Sequence, residues 1–285
     1  MCYNCRMRVL NTKEIENAVY RLALKACNSL TPDCERAIKD ALQLERENLS
    51  KFALDNILQN NQIAKTENIP VCQDTGLACV MLEIGQEVFL DGELLEDSIN
   101  CGVRRAYEDG FFRKSVVDPL TRVNTKDNTP AMIHTEIVSG DKVKITFLPK
   151  GFGSENMSAV FMLTPAHGED GIVDAVVNQV KKAGAKPCPP VYIGVGIGGS
   201  FDKCAYLAKK ALTRPVGTFS DRSDVKQLEL KILDKVNKLD IGVLGFKGKN
   251  TAIGVAIETY PTHIAGLPVA VNIQCHCVRL ESEVL

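Results

Sequence analysis

Tryptophan is absent from the 285 residues and only 6% are aromatic, which leaves little with which to build a stacking platform for single-stranded nucleic acid. Charge of one sign is lacking too. The 34 Lys and Arg nearly balance 35 Asp and Glu, and a net charge of -1 makes no basic field for a polyanion. No apolar run approaches the length of a bilayer span, and the first residues lack the pattern of a signal peptide. Neither nucleic acid nor a membrane is therefore an expected partner. Repeats, low-complexity tracts and flexible linkers are missing as well. What remains, 45% hydrophobic and 24% charged, is an ordinary globular composition, long enough for one large domain or two lobes sharing a core.

Cysteine is the exception, at eleven residues. An odd count without a secretion signal argues for a reducing, cytoplasmic home rather than a disulfide framework. In that setting cysteines read as metal ligands, redox groups or packing. Cys27, Cys34, Cys101 and Cys204 fall in helical patterns and Cys79 in an apolar strand-like run, so they read as packing. Cys2 and Cys5 resemble half a zinc knuckle, but no second pair has the matching spacing.

The first third of the chain is helical by pattern. Residues 11–28 carry Ile15, Val19, Leu22 and Ala26 on one face, with Asn11 and Glu14 placed as a capping box. Thr31-Pro32 opens a second helix reaching about residue 48, and a third covers 51–64. From residue 67 onward strands, glycine-rich loops and helices alternate. Strands are expected at 78–84, 131–138, 142–148, 191–195, 252–258 and 268–273, the pair 131–138 and 142–148 as a hairpin around Ser139-Gly140-Asp141. Helices are expected at 94–108, 172–182, 202–212 and 223–237. The fold class is thus mixed α/β: a helical lobe over about 1–66, then a mixed sheet packed by helices over about 67–285.

Three cysteines sit in stiff surroundings. In Ile69-Pro70-Val71-Cys72-Gln73-Asp74-Thr75-Gly76 a thiol, an amide and a carboxylate crowd a turn, with proline before and glycine after. Asp74 reads either as a proton-transfer group or as the acceptor of an Asx turn closed by Gly76. In Lys186-Pro187-Cys188-Pro189-Pro190 the flanking prolines predict an extended, stiff backbone. Gln274-Cys275-His276-Cys277 leaves a strand end. Between them, Lys150-Gly151-Phe152-Gly153-Ser154-Glu155-Asn156 has glycines that permit close approach to an anion. Residues 191–200 invite a dinucleotide-binding reading, but the glycine spacing is off and no ribose-binding acid follows.

Taken in order with Asn128-Thr129-Pro130-Ala131, the run 194–199 and Leu267-Pro268-Val269-Ala270-Val271-Asn272-Ile273, these segments resemble the α subunits of two-subunit class I fumarate hydratases. That iron–sulfur hydro-lyase family includes tartrate dehydratases. The resemblance implies a [4Fe–4S] cluster held by Cys72, Cys188 and Cys275, with Cys277 the rival for the third ligand, and one iron left open as a Lewis acid. It implies reversible hydration of fumarate to malate, with L-tartrate or mesaconate as alternative substrates. Asp74 and His263 take the proton-transfer places, and a carboxylate beside the cluster's negative charge is expected to hold its proton readily. Gln73, Arg113 and Gly153 take the dicarboxylate-binding places; Arg104, Arg105 and Arg122 compete with Arg113. Lys249 is a further candidate, in a loop where Lys247 replaces the glycine of relatives. The family's smaller swivelling module has no counterpart in the sequence, which implies a separate β subunit in a hetero-oligomer such as α2β2. The reading from a different class is a zinc-binding or structural protein whose cysteines do no chemistry.

Overall fold

The computed structural model describes residues 7–285. The Cys2 and Cys5 pair lies outside the described residues. The chain runs through β1 (Arg8–Asn11), α1 (Thr12–Asn28), α2 (Pro32–Leu44), α3 (Asn48–Glu67), β2 (Leu77–Gly85), β3 (Val88–Asp91), α4 (Leu95–Asp109), β4 (Met132–Val138) and β5 (Val143–Lys150). It continues through α5 (Phe152–Glu155), β6 (Ala159–Leu163), α6 (Gly168–Ala183), β7 (Val191–Gly198), α7 (Phe201–Ala211), α8 (Ser223–Asn237), β8 (Ala252–Tyr260), β9 (Leu267–Gln274) and β10 (Glu281–Val284). The class is mixed α/β, as expected. Among the described residues no helix is long and apolar enough to cross a membrane.

The chain divides into two compact units. The first comprises Met1–Thr31, Ile63–Lys150 and Arg279–Leu285; the second comprises Pro32–Gln62 and Gly151–Val278. The helices before residue 66 are therefore shared out, α1 going to the first unit and α2 to the second, with the boundary inside α3.

In the first unit a four-stranded sheet has the order β10-β5-β2-β4. The expected hairpin is not formed. β2 lies between its two strands, parallel to β4 and antiparallel to β5. The reason is burial: β2 is apolar and covered along most of its length, and a strand of that kind belongs in a sheet interior rather than at an edge. α1 presents Ile15, Val19 and Leu22 to Val80, Leu82, Ile145 and Phe147 of the sheet and to Ile99 and Val103 of α4, all buried together. Asn11 caps α1, its Oδ1 accepting from the Lys13 amide at 2.9 Å.

In the second unit the sheet order is β6-β9-β7-β8, with β7 parallel to β8 and antiparallel to β9. Alternation along β7 divides the labour. Ile193 and Val195 join the core formed with α6 and α8. Gly194 and Gly196 face α7 so closely that an added Cβ would lie 2.1 Å from the Ala208 carbonyl oxygen and 2.0 Å from that of Cys204. The glycine run 194–199 is therefore mostly strand. Its glycines let a helix approach the sheet and do not cradle a phosphate.

Lys247 adopts φ 65, left-handed backbone that a residue with a Cβ resists. Its amide donates to Ile241 O at 2.9 Å and its carbonyl accepts from Ser50 Oγ at 2.6 Å, so the conformation is held from both sides. Lys247→Gly is expected to raise unfolding free energy by about 0.5–1 kcal/mol, the left-handed penalty less the extra freedom of glycine in the unfolded chain. A denaturant midpoint that stays put or falls would count against this.

Candidate active site

In the first unit the Cys72 turn is held at several of its backbone groups. Val71 N donates to Cys27 O at 3.0 Å. Arg279 Nη2 donates to Asp74 O at 2.9 Å. The Tyr107 hydroxyl donates to Thr75 O and Gly76 O at 2.8 and 3.1 Å. The Asn128 amide donates to Gly76 O at 3.2 Å while its Oδ1 accepts from Ser115 N at 2.7 Å. Asn128 is fully buried and left-handed, with φ 63, which accounts for the residue type in that motif. Gly76, at φ +75, passes so near Lys150 that a Cβ would lie 2.7 Å from its backbone. On this platform Cys72 and Asp74 are half-buried and Gln73 is exposed.

The Asx turn is present: Asp74 Oδ1 accepts from Gly76 N at 3.0 Å. The alternatives read from the sequence are thus compatible, because the second carboxylate oxygen and the acidic proton are not needed for the turn. Arg113 is exposed and joins the same platform, its carbonyl accepting from Thr75 Oγ1 at 3.0 Å. Of its competitors, Arg104 is paired with Asp127 at 3.0 Å and Arg105 with Glu16, while Arg122 stands exposed in a surface turn.

The second unit brings Cys188 and Cys275 together. β7 and β9 are antiparallel with Tyr192 opposite Gln274, so the segment entering β7 and the segment leaving β9 share one end of the sheet. His276 fastens them, its backbone N and its Nδ1 lying 3.2 and 2.9 Å from Cys188 O. Cys188 is exposed with φ 53. The extended backbone expected between the prolines is not found, because Cys188 N turns back to donate to Ala185 O at 3.0 Å. Such left-handed strain in a residue other than glycine is concentrated at functional sites. Cys275 is half-buried, whereas Cys277 is 2% exposed and faces the interior. Gln274 Nε2 donates to Cys277 O at 2.9 Å and lies 3.8 Å from Cys275 Sγ.

The Gly151–Ser158 loop reaches the same end. Asn272 Nδ2 donates to Glu155 Oε2 and Ser158 Oγ, both at 2.8 Å, and Lys209 pairs with the other Glu155 oxygen. Gly153 is exposed, and a Cβ there would meet only Lys186 O, at 3.8 Å. Nothing among the described residues demands a glycine at this position, so the open face suits close approach by a ligand. Gly153→Ala is expected to leave the melting temperature within about 1 °C while raising KM at least about tenfold, as a methyl group intrudes on bound substrate. An unchanged KM would remove Gly153 from the site.

His263 is not brought to this end. It lies exposed in the turn between β8 and β9, where Nδ1 accepts from Ala265 N at 3.2 Å and the neighbouring Thr262 Oγ1 donates to Gly199 O at 2.9 Å. The eight residues of β9 separate that turn from Cys275, a rise of about 24 Å. Lys249 is exposed, its amide donating to Glu45 Oε1 at 3.3 Å.

Of nine described cysteines, five are buried and four reach solvent: Cys72, Cys101, Cys188 and Cys275. Burial pushes the Cys27 thiol up to about 12 and raises Cys34 well above the ordinary thiol range, so both stay protonated and inert. Cys101 is engaged with Glu16. Among the described residues no three His, Cys, Asp or Glu side chains gather around a single-ion position.

Sequence reasoning missed the groups that hold the site. Arg279, 1% exposed, could have been noticed as a lone cation between Val278 and Leu280. Tyr107 gave no signal, and Glu155 was marked only as part of the glycine loop, since their roles depend on which turn the fold lays against them.

Residues 16–283 match the family model described as Fumarate hydratase (Fumerase). The chain is 40% identical over 273 residues to a putative L(+)-tartrate dehydratase subunit alpha of Methanocaldococcus jannaschii, covering 93% of this chain and 95% of that protein. It is 31% identical over 248 residues to the L(+)-tartrate dehydratase subunit alpha of Escherichia coli K12, covering 86% and 80% respectively. The ordered motifs, the mixed α/β architecture and these matches lead to one statement: the chain belongs to the fumarate hydratase family of hydro-lyases.

Proposed function

We propose that this chain is the α subunit of an iron–sulfur hydro-lyase that adds and removes water across the double bond of fumarate, in a reducing cytoplasm. One observation carries the reading. His276 fastens Cys188, exposed on strained backbone, beside Cys275, which reaches solvent. The donor chemistry fits a [4Fe–4S] cluster, for thiolates are its usual ligands and Cys72, Cys188 and Cys275 are three of the four described cysteines that are not buried. Cys277, turned into the core, is the weaker candidate. When bound, the cluster would supply an open iron as Lewis acid for the departing hydroxyl.

The remaining work falls to side chains. Gln73 and Arg113 stand exposed on the platform that holds Asp74, and an amide and a guanidinium fork suit a substrate carboxylate. Gly153 leaves room for the second carboxylate end. Asp74, fixed by its Asx turn through one oxygen, carries the proton to or from the hydroxyl on the other. His263 has no part in this reading within one chain, because β9 sets it at the far end of the sheet from Cys275.

Two related proteins are named as subunit alpha, which supports a separate β subunit and a hetero-oligomer such as α2β2. The same names favour a second reading, dehydration of L(+)-tartrate. Anaerobic co-purification with a β subunit, followed by assays with fumarate, L-malate, mesaconate and L(+)-tartrate, tests both. The expected result is highest kcat/KM for fumarate and malate, with little turnover by the lone chain. Preference for tartrate would move the assignment to the second reading, and full turnover by the lone chain would refute the need for a partner.

A further inference from the structure

Arg279 is a large charged side chain with only 1% of its surface exposed. Burying a guanidinium costs several kcal/mol in lost hydration before any partner is counted, and a cation placed so deep needs a reason. Its position in the first unit suggests one. Nη2 donates to the Asp74 carbonyl at 2.9 Å. Burial holds the Cys27 thiol and the Tyr107 hydroxyl in their protonated forms, a shift the nearby guanidinium only partly opposes, and Tyr107 in turn feels Asp74. The peptide carrying Asp74 is therefore gripped from below by a charged hydrogen bond, about twice as strong as a neutral one. Tyr107 and Asn128 hold the two residues that follow. Their bonds fix the rest of the turn, whereas Asp74 O is met by Arg279.

We propose that Arg279 is a positioning residue for proton transfer: it fixes the Asp74 peptide so that the carboxylate points at the reacting hydroxyl. The inference rests on the reading of Asp74 as the proton carrier. A misplacement of about 1 Å in such a group can cost on the order of a hundredfold in rate. A purely structural Arg279 would instead affect stability and folding yield, leaving the rate per folded, cluster-loaded molecule alone.

The test is a double-mutant cycle in the enzyme reconstituted with its β subunit, using Arg279→Lys in the wild-type and Asp74→Asn backgrounds. Lysine keeps the charge but loses the planar fork. In the wild-type background we expect kcat to fall at least tenfold, KM to stay within twofold, and iron content and the visible spectrum to be unchanged. In the Asp74→Asn background the same change is expected to cost less than twofold, because the group it positions no longer carries a proton. Arg279→Met, of similar length and without charge, is expected to show the same non-additivity with a larger loss. Equal fold losses in both backgrounds, or a loss that tracks iron content, would overturn the proposal. An Asp74→Asn enzyme with the wild-type rate would overturn the proton-carrier reading itself, and the inference with it.

Discussion

Serine in place of Cys72, Cys188 or Cys275 is expected to give a folded but colourless protein on anaerobic purification, with hydro-lyase activity down by about a thousandfold or more. The magnitude follows from removing a Lewis acid that supplies several kcal/mol of transition-state stabilisation, each 1.36 kcal/mol being about tenfold in rate. The informative comparison is Cys277→Ser. Cys277 is buried while Cys275 is half-buried, so the 277 variant is expected to keep about four irons per chain and most of its activity. It will lose stability, because a hydroxyl replaces an apolar thiol in the core. Iron and sulfide analysis beside the melting curve separates the two cases. Loss of iron in Cys277→Ser with retention in Cys275→Ser would reverse the ligand assignment.

Asp74→Asn is expected to lower kcat by about a hundred- to ten-thousandfold, the usual contribution of a positioned acid or base, while leaving the melting temperature nearly unchanged. The reason is specific to this turn. Asparagine keeps an Oδ1 that can accept from Gly76 N as Asp74 does at 3.0 Å, so the Asx turn survives while the titratable proton is lost. Asp74→Ala removes both and is expected to lose about 1 kcal/mol of stability as well. If asparagine is active and only alanine fails, Asp74 serves the turn and not the chemistry.

The physical reasons behind the correct and incorrect expectations differ. Helices such as residues 223–237 were legible because an amphipathic stripe depends on local spacing alone, and the structure places α8 at Ser223–Asn237. The hairpin at Ser139–Asp141 failed because pairing is a competition among strands, and β2, more apolar than either neighbour, took the interior place between them. The extended Cys188 segment failed because the Cys188 amide turns back onto the Ala185 carbonyl, which draws the residue into left-handed backbone against the extended preference of a position before proline. Lys247 runs the other way. The absence of the expected glycine was visible in the chain, and its φ of 65 shows why a glycine is favoured there.

Residue types in fixed local order were enough to give the family, the α/β class and the identity of the stiff cysteine-bearing segments. The folded chain was needed to show that β7 and β9 run antiparallel, which joins Cys188 to Cys275 and carries His263 to the opposite end of the sheet. It alone placed Arg279 beneath Asp74 across 205 positions of chain. Contacts of that kind are set by which apolar faces bury one another, and no local pattern records the outcome.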